Sequence, residues 1–194
     1  MDKPIIFTNL DGLLIEHEAF IEPHKTWFDR VIEKTGDKSL ENWKGREDYF
    51  KGVNIAMEKI MPNTTSEQRT FQARKWYQED VINYIRDNPN VIIQRNVKKI
   101  KSLKQKYKLI LITTNARDYI NKIIQSSNLQ NIYDKIIASQ TEKEPDKEDL
   151  IRKAIKEFGK PLYYLTGKED SKIIEILSKL EIKIILEKDI GKII

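Results

Sequence analysis

The sequence contains no cysteine. This absence excludes a disulfide framework, a thiolate metal site and a cysteine nucleophile. Long apolar runs are also missing, since none approaches the ~20 residues that a membrane-spanning helix needs. The amino terminus lacks the basic, then apolar, then small-residue pattern of a secretory signal, and the chain has no internal repeat. These absences predict a cytoplasmic protein with no membrane partner.

The residues that are present are typical of a well-hydrated globular protein. The 194 residues are 39% hydrophobic and 34% charged, which suits one domain or one domain with an inserted subdomain. The net charge of +5 comes from 35 basic and 30 acidic residues. Lysines cluster between Lys98 and Lys108, but Val97, Ile100 and Leu103 supply an apolar helical stripe among them. We therefore interpret these lysines as the solvated face of a helix, which disfavours a nucleic-acid partner.

Short apolar runs alternate with helical patterns along most of the chain. The predicted strands are Pro4–Phe7, Leu109–Thr113, Ile132–Ala138, Leu162–Leu165 and Ile182–Leu186. The predicted helices between the later strands are Tyr119–Ser127, Lys147–Phe158 and Ser171–Leu180. This alternation predicts an α/β fold with a mainly parallel sheet that helices cover on both faces. In such a sheet, ligands bind outside the carboxyl ends of the strands.

Residues 15–90 interrupt this alternation. Three helices are predicted there: His24–Lys34, Leu40–Ile60 and Ser66–Arg86. They contain all three tryptophans, which we interpret as the aromatic core of an inserted, all-helical subdomain. The predicted organisation is therefore a core domain of residues 1–14 and 91–194 with a helical cap of residues 15–90.

Two details of the inserted segment concern its polar residues. Thr65 and Gln68 have the spacing of a capping pair for the third helix. His17 and His24 have no third partner that would complete a metal site, so we interpret both as exposed residues.

Polar residues follow four of the predicted strands. The four clusters are Asn9-Leu10-Asp11-Gly12, Thr113-Thr114-Asn115, Lys143-Glu144-Pro145-Asp146 and Thr166-Gly167-Lys168-Glu169-Asp170. Their order, with a helical insertion after the first strand, resembles the haloacid dehalogenase (HAD)-like hydrolase superfamily, in the branch with a helical cap near the amino terminus. The resemblance covers essentially the whole chain. It implies a three-layer, Rossmann-like parallel sheet with an inserted helical cap.

The resemblance also implies phosphatase chemistry. In such enzymes a first aspartate attacks phosphorus and a second one protonates the leaving group, while a threonine and a lysine hold the phosphoryl oxygens. On this chain Asp11 takes the acid/base position, and Thr114, followed by Asn115, takes the phosphate-binding position. Glu144 occupies the lysine position, and Lys143 lies one residue away.

The chain departs from the family pattern at the nucleophile and at the metal ligands. Asn9 stands in the nucleophile position, and a neutral amide cannot perform the attack. Lys168 stands where an aspartate that binds Mg²⁺ is expected, while Glu169 and Asp170 are out of register and are only weak metal candidates. Two carboxylates would bring about −2 to the metal position, whereas Asn9 and Lys168 bring about +1. The substitutions therefore predict that no Mg²⁺ cofactor is bound.

The interpretation that we favour is a catalytically impaired pseudo-phosphatase. It would bind a phosphorylated or carboxylated small molecule, or a protein partner, through Thr114, Asn115, Lys143 and Lys168. One alternative is an active, Mg²⁺-dependent phosphatase in which Asn9 has replaced the nucleophilic aspartate. The other is an interaction protein with no enzymatic role.

Overall fold

A computed structural model describes residues 3–46, 48–139, 146–167 and 170–194. The chain divides into two compact units. We call Met1–Glu16 together with Pro89–Ile194 the core unit, and His17–Asn88 the helical unit. No helix in the described ranges combines the length and the apolar character that crossing a membrane requires.

Seven α-helices and five strands are described. The helices are α1 (Glu18–Thr35), α2 (Tyr49–Ile60), α3 (Ser66–Asp87), α4 (Gln94–Lys106), α5 (Arg117–Ser126), α6 (Lys147–Phe158) and α7 (Ser171–Lys179). The strands are β1 (Ile5–Thr8), β2 (Lys108–Ala116), β3 (Lys135–Ser139), β4 (Tyr163–Thr166) and β5 (Lys183–Leu186). Short 3₁₀ helices occupy Lys38–Trp43, Pro89–Val91 and Glu187–Lys192.

The core unit contains a five-stranded parallel sheet with the strand order β3-β2-β1-β4-β5. Ile6 of β1 pairs with Leu109 of β2 on one side and with Tyr163 of β4 on the other. The predicted fold class is therefore confirmed. The chain leaves β1 towards β2 but leaves β4 towards β5, so the direction of winding reverses between β1 and β4. Crevices for ligands form at this kind of switch point.

Helices cover both faces of this sheet, as the nearly continuous apolar strands require. Phe7, Ile110 and Tyr164 lie on one face and pack with Ile151 of α6 and Leu177 of α7. Residues that alternate with them, including Ile6, Leu109, Leu111 and Leu165, are fully buried as well. Because both faces are buried, each strand is held in one position along the direction of the strands. This position determines where the polar residues beyond the carboxyl end of each strand lie.

The helical unit has an aromatic core of its own. Trp27 and Phe28 of α1 pack with Leu40, with Met57 of α2 and with Ala73 of α3. The predicted capping pair is confirmed at the start of α3. The Thr65 side chain accepts a hydrogen bond from the Gln68 backbone, and the Gln68 side chain accepts one from the Thr65 backbone.

The prediction of a single helix over residues 40–60 is wrong. The 3₁₀ helix ends at Trp43 and α2 begins at Tyr49. Gly45 lies between them with a φ of 71°, in the left-handed region that a right-handed helix cannot contain. The break lets the Trp43 ring pack against Gly52 of α2, where a Cβ atom would lie 2.3 Å from the ring.

The prediction that His24 is exposed is also wrong. Its ring stacks on the Tyr77 ring with the centroids 4.3 Å apart and contacts Tyr49 at 4.1 Å. Burial disfavours the imidazolium form and lowers the pKa of His24 to about 4. His17, in contrast, is exposed at the start of α1.

The burial of His24 predicts that the helical unit loses stability in mild acid. The pKa of His24 is about 4 when folded and 6.5 when unfolded, so its contribution is complete above pH 6.5 and is lost as the pH falls towards 4. The full shift corresponds to about 3 kcal/mol, which the partial exposure of the ring reduces to about 1–2 kcal/mol. Urea unfolding at pH 7.5 and pH 5 measures this difference in the free energy of unfolding. The His24→Phe variant keeps the stacking without the titration, so equal pH dependence in both proteins would contradict this assignment.

Candidate functional site

Asn9 lies immediately beyond β1, at the switch point between β1 and β4. Its backbone N–H donates to the Leu165 carbonyl at 3.2 Å, which extends the β1–β4 ladder by one residue. Its side-chain Nδ2 donates to Thr166 Oγ1 at 3.1 Å. The Asn9 Oδ1 atom is buried and accepts no hydrogen bond within the described ranges. The two strand ends are therefore joined through a neutral amide that keeps one unused acceptor.

The segment after Asn9 forms a tight loop that contains Asp11. The Leu10 carbonyl accepts from the backbone N–H groups of Leu13 and Leu14 at 3.2 and 3.0 Å. From α4, Asn96 Nδ2 donates to the Leu13 carbonyl at 2.8 Å and holds the loop from below. Asp11 is half-buried in this loop, two residues beyond Asn9. Its carboxylate therefore belongs to the same edge of the sheet as the Asn9 amide.

The loops after β1 and β4 meet backbone to backbone. Gly12 has a φ of 71°. A Cβ atom added at Gly167 would lie 1.8 Å from the Gly12 carbonyl oxygen and 1.9 Å from its carbon. No side chain fits between these loops, so the second glycine is a steric requirement of the site.

Thr114 and Asn115 lie near the carboxyl end of β2, beside the same edge. Thr8 of β1 pairs with Leu111, so these two residues stand beyond the level of Asn9. The Thr113 hydroxyl is buried and accepts from the Asn115 backbone N–H at 3.2 Å. Thr114 and Asn115 are partly exposed and remain accessible to a ligand.

Lys147, the first residue of α6, brings a positive charge to this edge. Its Nζ donates a hydrogen bond to the Ile112 carbonyl, which lies level with Asn9 on the neighbouring strand. Burial lowers the pKa of the Lys147 ammonium to about 8, against the attraction of the Asp170 carboxylate. A helix start normally disfavours a cation because the helix dipole is positive there. The lysine that follows Asp146, the cap of α6, is therefore unusual, and the sequence interpretation missed that signal.

Two tyrosines lie beneath the edge. The Tyr133 hydroxyl lies 3.5 Å from the Asn9 carbonyl oxygen, and burial raises its pKa. Burial also raises the pKa of Tyr164, whose hydroxyl has no hydrogen-bond partner in the part of the chain that the structure describes. Both phenols therefore stay protonated at neutral pH. Tyr164 is 1% exposed and packs in the apolar core, so of these two hydroxyls only that of Tyr133 contacts a residue of the edge.

The structure thus brings together Asn9, Asp11, Thr114 and Asn115 at the carboxyl edge. It adds Lys147 to them. The predicted ligand residues Lys143 and Lys168, together with Glu144 and Glu169, lie outside the described residues. Asp170, a weak candidate for metal binding, caps α7 instead: its carboxylate accepts from the backbone N–H groups of Lys172 and Ile173 at 3.0 and 3.3 Å.

The described residues fit Mg²⁺ poorly. No three His, Asp or Glu side chains within the described ranges are grouped closely enough to hold a metal ion. Asp11 is the carboxylate in the loop after β1, whereas the Asp170 carboxylate is engaged by backbone N–H groups and by the nearby charge of Lys147. Mg²⁺ is usually held by one or two carboxylates together with water and phosphate oxygens. An ammonium group beside the second carboxylate opposes that arrangement.

Comparison with known proteins identifies a family and a set of similar folds. The family model described as haloacid dehalogenase-like hydrolase matches residues 5–163. A search of the curated proteins finds no match.

Three solved structures illustrate the similarity of fold. A HAD-superfamily hydrolase of subfamily IA from Geobacter sulfurreducens superposes with a TM-score of 0.60 at 12% identity, over 95% of this chain and 86% of the other. CbbY from Rhodobacter sphaeroides, in complex with phosphate, gives 0.58 at 13% identity over 95% and 85%. Magnesium-bound YfnB from Bacillus subtilis gives 0.51 at 11% identity over 86% and 79%. At these identities the likeness shows the fold alone.

Proposed function

Because the chain belongs to the haloacid dehalogenase-like hydrolase family, we propose that it binds a phosphorylated or carboxylated small molecule at the carboxyl edge of its sheet without hydrolysing it. The observation that carries this proposal is the environment of Asn9. This residue follows the central strand at the switch point, where the family resemblance implies a nucleophilic aspartate. Its amide is neutral and donates to Thr166 at 3.1 Å.

The neutral amide removes the covalent step. An aspartyl nucleophile needs a carboxylate oxygen, and neither atom of the Asn9 amide supplies a negative charge at neutral pH. Asp11, two residues further along, takes the acid/base position by resemblance and does not replace the attacking group. The poor fit to Mg²⁺ removes a second source of rate enhancement, since the charge that builds up on phosphorus would have no metal ion to stabilise it.

The remaining groups suit the binding of an anion. Lys147 brings an ammonium group to the level of Asn9, and an ammonium hydrogen-bonds well to phosphate or carboxylate oxygens. Thr114 and Asn115 are partly exposed on the adjacent strand end and offer a hydroxyl and an amide. Binding needs charge and donors, both of which the site has kept.

Inorganic phosphate and 4-nitrophenyl phosphate test the two halves of the proposal separately. We expect phosphate to shift the amide resonances of residues 9–12, 114–115 and 147 in a ¹⁵N-resolved NMR titration without added metal. We expect the release of 4-nitrophenol with Mg²⁺ to stay at least ~10³-fold below an ordinary enzyme rate of ~1 s⁻¹. In the NMR titration, sulfate serves as a comparison anion of similar shape.

Each half has its own contradicting result. An absence of phosphate-dependent shifts at the carboxyl edge would contradict the binding site, whatever the hydrolysis assay gives. Steady hydrolysis near ~1 s⁻¹ would contradict the loss of chemistry and would require a nucleophile other than Asn9.

A further inference from the structure

A cavity lies at the end of the sheet opposite the carboxyl edge, beneath the amino ends of β1, β4 and β5. Its volume is about 660 Å³, which falls within the ~300–1,000 Å³ of small-molecule sites. It is lined by the start of β1, by the connection from α6 to β4 and by the connection from α7 to β5. The chemistry of the carboxyl edge does not involve this end of the sheet, so the cavity is not part of the proposed phosphate site.

The cavity carries an excess of positive charge. Three lysines line it, Lys3, Lys160 and Lys183, against a single acidic side chain, Glu181. Lys160 pairs with Glu181 at 3.1 Å. Lys3 and Lys183 form no ion pair with any of the described residues. The Lys3 ammonium donates one hydrogen bond to the Lys104 carbonyl at 2.9 Å and has two further N–H groups. Two positive charges at the rim of a concave surface raise the local concentration of anions.

The same cavity has apolar and aromatic walls. Phe158, Pro161 and Tyr163 line it, and the Leu162 side chain is 48% exposed beside them. The Lys183 ammonium lies 5.8 Å from the Tyr163 ring centroid. Such walls take up a flat apolar group, while the lysine beside the aromatic ring remains able to meet a charge. The positively charged rim and the apolar walls together favour a ligand that has both a negative charge and an apolar surface.

We propose that this cavity is a binding site for a small molecule that joins an anionic group to an aromatic or apolar ring. Its anionic group meets the ammonium groups of Lys3 and Lys183, and its ring packs against Phe158, Leu162 and Tyr163. The site is separate from the carboxyl edge, because its lining residues precede strands whose far ends carry Asn9 and Thr166. A ligand can therefore occupy it independently of phosphate.

The probe for this site is 2-naphthoate, with 2-naphthalenemethanol as its neutral analogue. In ¹⁵N-resolved NMR titrations we expect 2-naphthoate to shift residues 158–163 and 181–183. We expect the neutral analogue to bind at least ~5-fold more weakly, and the affinity for 2-naphthoate to fall as salt rises. Equal affinity for the two compounds, or shifts centred on residues 9–12, would overturn the proposal.

Paired lysine variants separate the cavity from the general basicity of the surface. Replacing both Lys3 and Lys183 with glutamine should weaken 2-naphthoate binding at least ~10-fold. The control replaces Lys122 and Lys153, which are exposed on α5 and α6, with glutamine and makes the same change in net charge. We expect the control to alter the affinity less than ~2-fold. An equal loss in both double variants would overturn the assignment, as would a failure of the first to weaken binding.

Discussion

Replacing Gly167 with alanine should prevent stable folding of the core unit. The new Cβ atom would lie 1.8 Å from the carbonyl oxygen of Gly12 and 2.5 Å from the backbone nitrogen of Leu13. These are backbone atoms of a loop that Asn96 and the Leu10 carbonyl hold in place, so they cannot rotate away as a side-chain tip can. We expect a loss of more than about 4 kcal/mol, which is a large part of the stability of an ordinary domain.

Gly191 offers the matched control for this substitution. A Cβ atom there would meet nothing within 4 Å, so Gly191→Ala should change the stability by less than about 0.5 kcal/mol. Circular dichroism and urea unfolding measure both variants, and the yield of folded protein reports a complete failure to fold. A Gly167→Ala protein that unfolds at the wild-type urea concentration would contradict the close approach of the two loops.

Replacing Lys147 with methionine should remove most of the affinity for phosphate while leaving the fold intact. Methionine keeps the length of the side chain and removes its charge, so the anion loses its charged donor at the level of Asn9. We expect phosphate binding to weaken at least ~10-fold, because hydrogen bonds to charged groups are worth about 1.5–3 kcal/mol. Burial already lowers the pKa of Lys147 to about 8, so removal of its charge should not destabilise the protein.

The pH dependence and a second lysine sharpen this test. In the wild-type protein, the affinity for sulfate, whose charge does not change in this range, should fall as the pH rises from 7 to 9, because the Lys147 ammonium loses its proton there. The Lys153→Met variant changes an exposed lysine on the same helix and should bind phosphate like the wild type. Retained affinity in Lys147→Met, or a similar loss in Lys153→Met, would contradict the role assigned to Lys147.

The sheet could be predicted from the sequence because its signals are local and consistent. Each strand is a short apolar run, and the alternation with helices permits few topologies. The predicted parallel sheet is confirmed, and Ile6 of β1 pairs in it with Leu109 of β2. The prediction of one helix over residues 40–60 was wrong because the apolar spacing continues across Gly45. The sequence does not show that Gly45 has a φ of 71°, which ends the helix there.

The candidate site was predictable only in part, and the reason is that side chains converge from distant segments. Asn9 and Asp11 follow a strand directly, so the sequence alone could place them at the edge. Lys147 reaches the same edge from the first turn of α6, and no local sequence pattern indicates its contact with the distant strand β2. The burial of His24 between two tyrosines likewise depends on the packing of three helices. Contacts of this kind follow from tertiary structure and leave no periodic signal.

The measurement that tests the central claim most directly is the phosphatase activity of the Asn9→Asp variant with Mg²⁺. Restoring the aspartate returns the nucleophile, but Lys168 still occupies the position to which the family resemblance assigns an aspartate that binds the metal. We predict that 4-nitrophenyl phosphate hydrolysis by this single variant stays below ~10⁻³ s⁻¹, and that Mg²⁺ affinity improves only when Lys168→Asp and Glu144→Lys are added. Turnover near ~1 s⁻¹ from Asn9→Asp alone would contradict the account, because the rest of the site would then be a working phosphatase that lacks only its nucleophile.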